Sequence, residues 1–454
     1  MADTDHTDAL LFRAVLDALA AAGIARGARV YLALSGGVDS VTLLHLLARA
    51  RRTLRFSLHA LHVHHGLQTA ADAWPDFCRA LCRELRVGCT VLHVQVDKHS
   101  PHGTQAAARK VRLQTLAAQQ GEAGWLLFAH HLDDRAETVL YRLLRGTGVR
   151  GLAAMRAVEP ARRILRPLLG VRRAEIETYA RAHHLRWVQD PSNAHAHYAR
   201  NHLRQHVFPA LAPHFADAAP ALARAAEHLQ ESAELLAQLA DIDLAQCGGE
   251  PLSIARLLAL PPARQANLLR HLYFRRHALP PASARVREIL RQLGSAAHPA
   301  LNQSDGQWLL VAHQGVLTLC PAPAPVPPAP HCWQAGEEVI AWGRGVIQID
   351  RARGQGLSAQ KLHAALAAGE LFFAPRWPGV RLRTHAGGGA KSFKNLCQER
   401  NIPAILRAHL PILRWQDEAL WIAGVGIAAE WRCGEEEEDG IVLRYVALAP
   451  DAGA

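Results

Sequence analysis

The chain has 454 residues, half of them hydrophobic and a fifth charged, which suits a folded soluble protein of two or three domains. It has no run of 18 or more apolar residues, so no membrane span is expected. The net charge of +11 favours a polyanionic partner. Residues 1–23 begin acidic and continue as an amphipathic helix, with no basic n-region or cleavage pattern, so a secretory signal is not expected. The eight cysteines are scattered without framework spacing and read as reduced thiols of a cytoplasmic protein.

Strand and helix patterns alternate through the first 150 residues. Strands are predicted over 29–35, 56–65, 89–96 and 125–131. Helices are predicted over 39–50, 70–86, about 104–120, and 133–144, the last stopping at Gly146. Apolar strands alternating with amphipathic helices imply an α/β fold, a doubly wound parallel sheet covered on both faces. Such sheets bind ligands at the C-terminal ends of their strands, where the motifs below all fall. Residues 156–204 hold ten arginines against Glu159, Glu175, Glu177 and Asp190, the composition of a phosphate-backbone surface or of a solvated basic face. Residues 215–245 are Ala/Leu-rich with helical periodicity and open a helical domain running to 319. "CPAPAPVPPAPH" (320–331) is an extended linker. Residues 332–454 carry short strand-like runs and one helix around 391–400, a small α+β module, with "EEEED" (435–439) as a solvated turn. The expected division is 1–214, 215–319, 320–331 and 332–454.

"SGGVDS" follows the first strand and opens the first crossover helix. Gly36 and Gly37 let the backbone turn tightly and approach an anion. The N–H groups of Ser35, Gly36, Gly37, Val38, Asp39 and Ser40, with the two serine hydroxyls, can bind phosphate oxygens. A carboxylate in that cup repels phosphate unless a cation intervenes, so Asp39 implies Mg²⁺ holding pyrophosphate. That suits a reaction in which pyrophosphate leaves and AMP is transferred. No Walker loop is present.

At the end of the fourth strand, "AHHLDDRAETVLYRLL" places Asp133, Asp134 and Glu137 at the opening of a helix, where all three can face the strand ends. Acids there also complement a helix dipole. Arg109 and Arg112 lie three apart on one helical face. His62, His64 and His65 lack a fourth metal ligand and read as strand-end histidines. Cys78 and Cys82 share an apolar helical stripe with Trp74, Phe77, Leu81 and Leu85, so they read as core thiols. No CxxC occurs.

The hexapeptide resembles the signature of the PP-loop ATP pyrophosphatases (adenine nucleotide alpha hydrolase-like). "HVHHGL" (62–67), "TQAAARKVRLQTL" (104–116), "AHHLDDRAETVLYRLLRGTGVRGLAAM" (129–155), "WVQDPSNAHAHYARNHLRQHVFPAL" (187–211) and "RLRTHAGGGAKSFKNLCQERNIPAILRAHLPIL" (381–413) resemble one member family, the tRNA(Ile)-lysidine synthetases. The family usually has Gln where this chain has Arg135, Glu at Gln105 and Tyr at Leu113. The resemblance implies ATP and Mg²⁺ at residues 35–40, with Asp39 and a further metal or nucleotide contact at Asp133, and with His65 and Arg109 at the nucleotide. It implies catalytic roles for Asp39, Asp134 and Glu137, with Asp134 and Glu137 gripping free L-lysine. It implies tRNA contacts from Arg112, Arg200, Arg204, Arg383, Lys391 and Lys394. Asp190, Ser192, Asn193 and Asn201 fit the same run.

The implied reaction joins lysine to carbon 2 of the wobble cytidine in the CAU anticodon of an isoleucine tRNA. It passes through an adenylated tRNA and changes decoding from AUG to AUA and charging from Met to Ile. No membrane partner is expected, and oligomeric state is open, a homodimer included. A tRNA thiolase and a non-catalytic RNA-binding protein are the competing readings.

Overall fold

The structure, a computed structural model, describes residues 2–66, 72–97, 103–121, 123–153, 155–190, 199–295, 301–334, 336–434 and 439–448, with backbone only for 2–5, 105 and 106. Ser192, Asn193 and most of the EEEED run lie outside the described residues, as does the side chain of Gln105. The chain forms two compact units, Met1–Leu235 and Leu236–Gly453.

The first unit opens with α1 (Ala2–Ala21) and then alternates β1 (Arg29–Ala33), α2 (Val38–Leu54), β2 (Ser57–His64), α3 (Trp74–Glu84), β3 (Gly88–His93), α4 (Thr104–Gln120), β4 (Trp125–Leu127) and α5 (Leu132–Leu144). A short α6 (Val149–Leu152), β5 (Val158–Glu159), β6 (Ile164–Leu165) and α7 (Arg173–Ala182) follow. Strand order is β3-β2-β1-β4-β6-β5, parallel except for β5. The order reverses beside β1, so the ends of β1 and β4 flank the crevice where such sheets take ligands. Alternate strand residues feed opposite faces. Leu32, Leu34, Ala60 and Leu127 pack with α1, α2, α3 and α7. Ala33, Leu61, Leu126 and Phe128 pack with Leu113 and Leu116 of α4. Leu113 thus packs, partly buried, against this second core.

The sheet is shorter than the hydrophobic runs suggest. β4 ends at Leu127, with one more ladder bond from the Phe128 N–H to Leu165, because residues 129–131 turn away to deliver the site, and β1 stops before the Gly-Gly turn. A polar network ties α1, α2 and α7 together behind the sheet. Arg49 donates to both oxygens of Asp8 (2.6 and 3.1 Å) and to the Tyr179 hydroxyl (2.9 Å), and His183 Nε2 stands 2.8 Å from Asp8.

After α7 the chain re-enters through α8 (Ala199–His202), a π-helical turn (Leu203–Val207), α9 (Phe208–Leu211) and α10 (Ala218–Gln246). The start of α10 belongs to the first unit, past the expected division at 214. Glu227 pairs with Arg135 (2.7 Å), Glu234 with Arg156 (3.0 Å), and Asp217 with Arg172 (2.9 Å). Arg135, buried to 5 % exposure, therefore has a structural partner on α10.

In the second unit, helices Pro262–Phe274 and Ser283–Gly294 pack on a core with Leu252, Trp308 and Leu317. The helical expectation ends at Gly294. Leu301–Ser304, Trp308–His313 and Val316–Pro321 form an antiparallel sheet with Leu252–Ser253. Alternating apolar residues and a tight turn at Gln314-Gly315 favour strands there. Beyond the proline-rich stretch, two antiparallel sheets share a core of Trp333, Trp342, Phe373 and Trp421. The expected helix appears as Phe393–Glu399, joined by a second over Ala359–Ala368.

Candidate active site

The loop after β1 is shaped by one glycine and one serine. Gly36 has φ +89°, and a Cβ there would lie 2.9 Å from Val188 Cγ2 and 3.4 Å from Cys78 Sγ. Gly36 also accepts from the Val188 N–H at 2.9 Å. Ser40 turns inward. Its hydroxyl accepts from the N–H groups of Ser35 and Gly36 (both 3.2 Å) and donates to the Gly37 carbonyl (3.0 Å). The Ser40 hydroxyl thus holds the loop's form, whereas the Ser35 side chain is exposed. Gly37 precedes α2, so the first-turn N–H groups of Val38, Asp39 and Ser40 have no acceptor within the helix. They give this end of α2 its affinity for anions.

Asp39 stands in that first turn. Its Oδ1 is buried without a hydrogen-bond partner among the described residues. Burial pushes its carboxyl above the usual range, against the opposing charges of His131 and Arg173. An orphaned buried carboxylate oxygen beside a phosphate-type loop is what a cation bridging to phosphate requires. Among the described residues no cluster of three His, Cys, Asp or Glu side chains could hold a metal alone. A cation at Asp39 would therefore share its ligands with a phosphate.

His131, the residue just before α5, organises the acids. It is buried to 1 % exposure, with Nδ1 3.4 Å from Asp133 and Nε2 3.3 Å from Asp134 and 3.9 Å from Asp39. Burial alone would lower its pKa, but the bond to Asp133 and the charges of Asp134 and Asp39 outweigh it and raise the pKa above the usual histidine value. The Asp134 N–H donates to Nδ1 at 3.4 Å, the same nitrogen that faces Asp133, and the His131 N–H donates back to Asp134 Oδ2 at 3.2 Å. Asp133 accepts as well from the Arg173 N–H at 2.8 Å. Burial works against its charge, but these two bonds hold its carboxyl at about 2. Asp133 is therefore anchored to α7 and to His131.

Asp134 and Glu137 meet one cation. Arg204, on the π-helical turn, donates from Nε to Glu137 (2.6 Å) and from Nη2 to both Glu137 (3.0 Å) and Asp134 (3.2 Å). The expected tRNA contact at Arg204 is thus folded into the acid cluster. Glu137 is 4 % exposed, and its burial raises its pKa despite Arg204. Beside this pair lies a cleft of about 250 Å³, lined by Asp133, Glu137, Arg172, Arg173, Phe208 and Phe215 among others.

The histidines divide. His62 is buried, with Nδ1 2.9 Å from the Leu34 carbonyl, so it braces β1 from within. His65 and His130 each keep a buried Nδ1 without a partner among the described residues. Burial lowers both, His130 to about 3, leaving neutral rings. Cys78 and Cys82 are buried core thiols. Burial pushes Cys78 up to about 12, and Cys89 together with burial pushes Cys82 up. Neither offers a reactive thiolate.

Much of the basic stretch is neutralised internally. Arg156, Arg166, Arg172, Arg173, Arg181, Arg186 and Arg204 each meet a carboxylate. Arg109, Arg112, Arg142 and Arg200 meet none among the described residues. Burial lowers the Arg109 pKa, and the like charges of Arg200, Arg112, Arg166 and Arg142 lower it further, as befits a group awaiting an anion. Arg200 reaches the Thr138 hydroxyl, and Arg142 the Gly151 carbonyl. In the second unit Arg383 pairs with Glu430 (3.3 Å) and Lys391 with Glu399 (2.7 Å), whereas Lys394 is exposed.

Sequence reasoning missed His131 and Arg173. The signal for His131 was present, since it directly precedes a helix with acids in its first turn. Arg173 meets Asp133 through its backbone N–H, a contact that leaves no trace in a sequence, and its side-chain charge also acts on Asp39.

A glycine-turned loop on a helix N-terminus, with an acid set at the parallel strand ends, defines a nucleotide-binding PP-loop domain, and the PP-loop domain model matches residues 12–211. Models described as the TilS substrate binding domain and the TilS substrate C-terminal domain match residues 252–318 and 371–445. The tRNA(Ile)-lysidine synthase of Aromatoleum aromaticum is 47 % identical over 94 % of this chain and 99 % of its own length. That of an Azoarcus species is 44 % identical over 95 % and 94 %. A solved U34-tRNA thiolase from Methanococcus maripaludis aligns at 19 % identity and TM-score 0.44, over 50 % of this chain and 80 % of that one. The chain belongs to the tRNA(Ile)-lysidine synthase family, and it is an ATP-using ligase of tRNA modification. Among the described residues no helix is long and apolar enough to cross a membrane.

Proposed function

We propose that the loop, the acid cluster and the unpaired arginines divide one reaction, the joining of L-lysine to carbon 2 of the wobble cytidine in tRNA(Ile) with a CAU anticodon. The observation that carries this reading is the meeting of Asp39 and Asp134 at His131 beside the loop, with Glu137 joined to Asp134 through Arg204. The loop N–H groups hold the pyrophosphate of ATP, and the orphaned Asp39 oxygen would hold Mg²⁺. When bound, Mg²⁺ supplies charge neutralisation for departing pyrophosphate. His131 stands between Asp39 and Asp134, and its charge lowers the pKa of both against the effect of burial. His65 and Arg109 flank the nucleotide as a neutral ring and an anion-seeking guanidinium.

The cytidine 2-oxo oxygen attacks the α-phosphorus, which turns a poor leaving group into AMP. The lysine ε-amine then attacks carbon 2 and AMP departs. Asp134 and Glu137 receive the ε-ammonium, and either can take its proton. Glu137, whose burial raises its pKa, suits that task better. The cleft's phenylalanines suit the methylenes, and Arg172 and Arg173 suit the α-carboxylate. Arg112, Arg142 and Arg200 take phosphates of an unstacked anticodon loop. The unit to Leu235 acts as the catalytic domain, and the modules beyond it act in tRNA binding through groups such as Lys394.

The test combines the protein, labelled lysine, ATP-Mg²⁺ and a CAU-anticodon transcript. Lysine incorporation with AMP release is expected, and it is abolished in Asp39→Ala. A transcript with uridine at the wobble position that is still modified would contradict the assigned target.

A further inference from the structure

The acid pair assigned to the lysine ammonium already holds a cation of the chain itself. Arg204 makes a two-pronged bond to Glu137 (2.6 and 3.0 Å) and shares Nη2 with Asp134 at 3.2 Å. A fork of this kind is among the strongest pairings a carboxylate makes in a protein. The Glu137 side chain is 5 % exposed, so its carboxylate has little free face left. An incoming ε-ammonium cannot pair with both acids while the guanidinium stays.

Arg204 also sits on a widened turn of the helix. Leu203–Val207 is a π-helical turn closed by Phe208 N–H to the Leu203 carbonyl. The cause lies in the sequence. Pro209 has no N–H, and its ring would clash with the Gln205 carbonyl in a regular helix, so the turn widens. Wide turns of this kind gather at functional sites. The Arg204 side chain keeps 34 % of its surface exposed, so it has a way out to solvent. One turn earlier on the same segment, Arg200 belongs to the arginine group that meets no carboxylate among the described residues.

We propose that Arg204 is an internal competitor for the lysine ammonium, holding Asp134 and Glu137 until a phosphate of bound tRNA draws its guanidinium out. The proposal rests on the assignment of lysine to this acid pair. The exchange conserves charge in the cluster, because one cation leaves as another enters. A guanidinium forks onto phosphate as readily as onto carboxylate, so the displaced group gains a partner of the same geometry. Linkage then requires that tRNA tighten lysine binding and that lysine tighten tRNA binding by the same factor. Arg204 is on this account a positioning and gating residue.

The experiment is calorimetric titration of the full chain with lysine, with and without the CAU transcript and without ATP, so that no reaction proceeds. For the wild type, tRNA is expected to tighten lysine binding about tenfold or more. Arg204→Gln is expected to bind lysine at the tight level without tRNA, and tRNA should then add nothing. Arg204→Lys keeps a cation but loses the fork, so its lysine affinity without tRNA should fall between the two. If Arg204→Gln binds lysine no better than wild type, or still responds to tRNA, the proposal is overturned. Should Arg204→Gln fail to fold, Arg204→Lys decides alone, and lysine affinity at or below that of wild type overturns it. Glu137→Gln separates the two layers. If that variant binds lysine as wild type does, the acid pair itself is misassigned, whereas its loss of binding alongside an Arg204→Gln protein that binds lysine no tighter than wild type refutes only the competitor.

Discussion

Adding one methyl group at Gly36 tests the loop more sharply than removing any charge. Two costs add in Gly36→Ala. The backbone sits at φ +89°, where an L-residue costs about 1–2 kcal/mol. The new Cβ would also stand 2.9 Å from Val188 Cγ2, and overpacking of that kind costs about 1–3 kcal/mol. The sum is about 2–5 kcal/mol, which in a unit of this size corresponds to a Tm lower by roughly 5–15 °C. If the loop yields instead of the unit, the same free energy appears as lost ATP affinity, because Gly36 and Ser40 together set the loop. Thermal unfolding and ATP titration on the same sample capture both outcomes. A second substitution, Val188→Ala, removes the methyl that the new Cβ would strike. The double variant should recover the overpacking part and keep the backbone part, a coupling of about 1–3 kcal/mol. A Gly36→Ala protein that melts and binds ATP like wild type would refute the reasoning, as would a pair of substitutions whose effects simply add.

Three further outcomes follow from the site and its supports. Asp39→Asn should cut AMP release about 10²–10³-fold or more while raising the Tm of the free enzyme, measured by turnover and melting. The sign follows from its raised pKa: burial makes the ionised form a net cost to folding, relieved as pH falls through the folded value, and Asn removes that cost at neutral pH. Asp8 titrates in the opposite sense. The bond from Arg49, opposed by burial and reinforced by His183, lowers its pKa, so its stabilisation is complete above the unfolded value near 3.8 and is lost as pH falls through the folded one. Asp8→Asn should cost about 1 kcal/mol at pH 7 in urea unfolding, and the difference from wild type should vanish in strong acid. Arg135→Gln, a change towards the residue usual in the family, should cost about 1 kcal/mol or less, because its partner Glu227 is 59 % exposed, and should leave lysine binding unchanged. A larger loss in unfolding experiments would give the Arg135–Glu227 pair a weight that its exposed half does not support.

The alternation of strands and helices is legible in the chain because each crossover repeats the same local physics. An apolar run reaches a turn, and an amphipathic helix covers the run. "SGGVDS" and "HHLDD" are legible for a related reason, since turn, anion cup and acid set lie within a few residues of each other. The sheet at 301–321 was harder to read because short alternating strands carry weak signals next to long Ala/Leu helices. Element ends differ from the hydrophobic run where residues 129–131 leave the ladder to reach the site.

The sequence by itself determined the parallel sheet, the placing of Asp39 in the first turn of α2, and the grouping of Asp133, Asp134 and Glu137 on α5. These follow from spacing along one segment. Only the tertiary structure decided what those acids face. His131 became the buried ring among three carboxylates, Asp133 was tied to the backbone of Arg173, and Arg204 crossed from a basic stretch into the acid pair. Arg135 likewise acquired its partner from a helix that begins 83 residues later in the chain. The reason is the same in each case. The free energy of a buried charge depends on the groups that replace its water, and long-range folding alone chooses those groups.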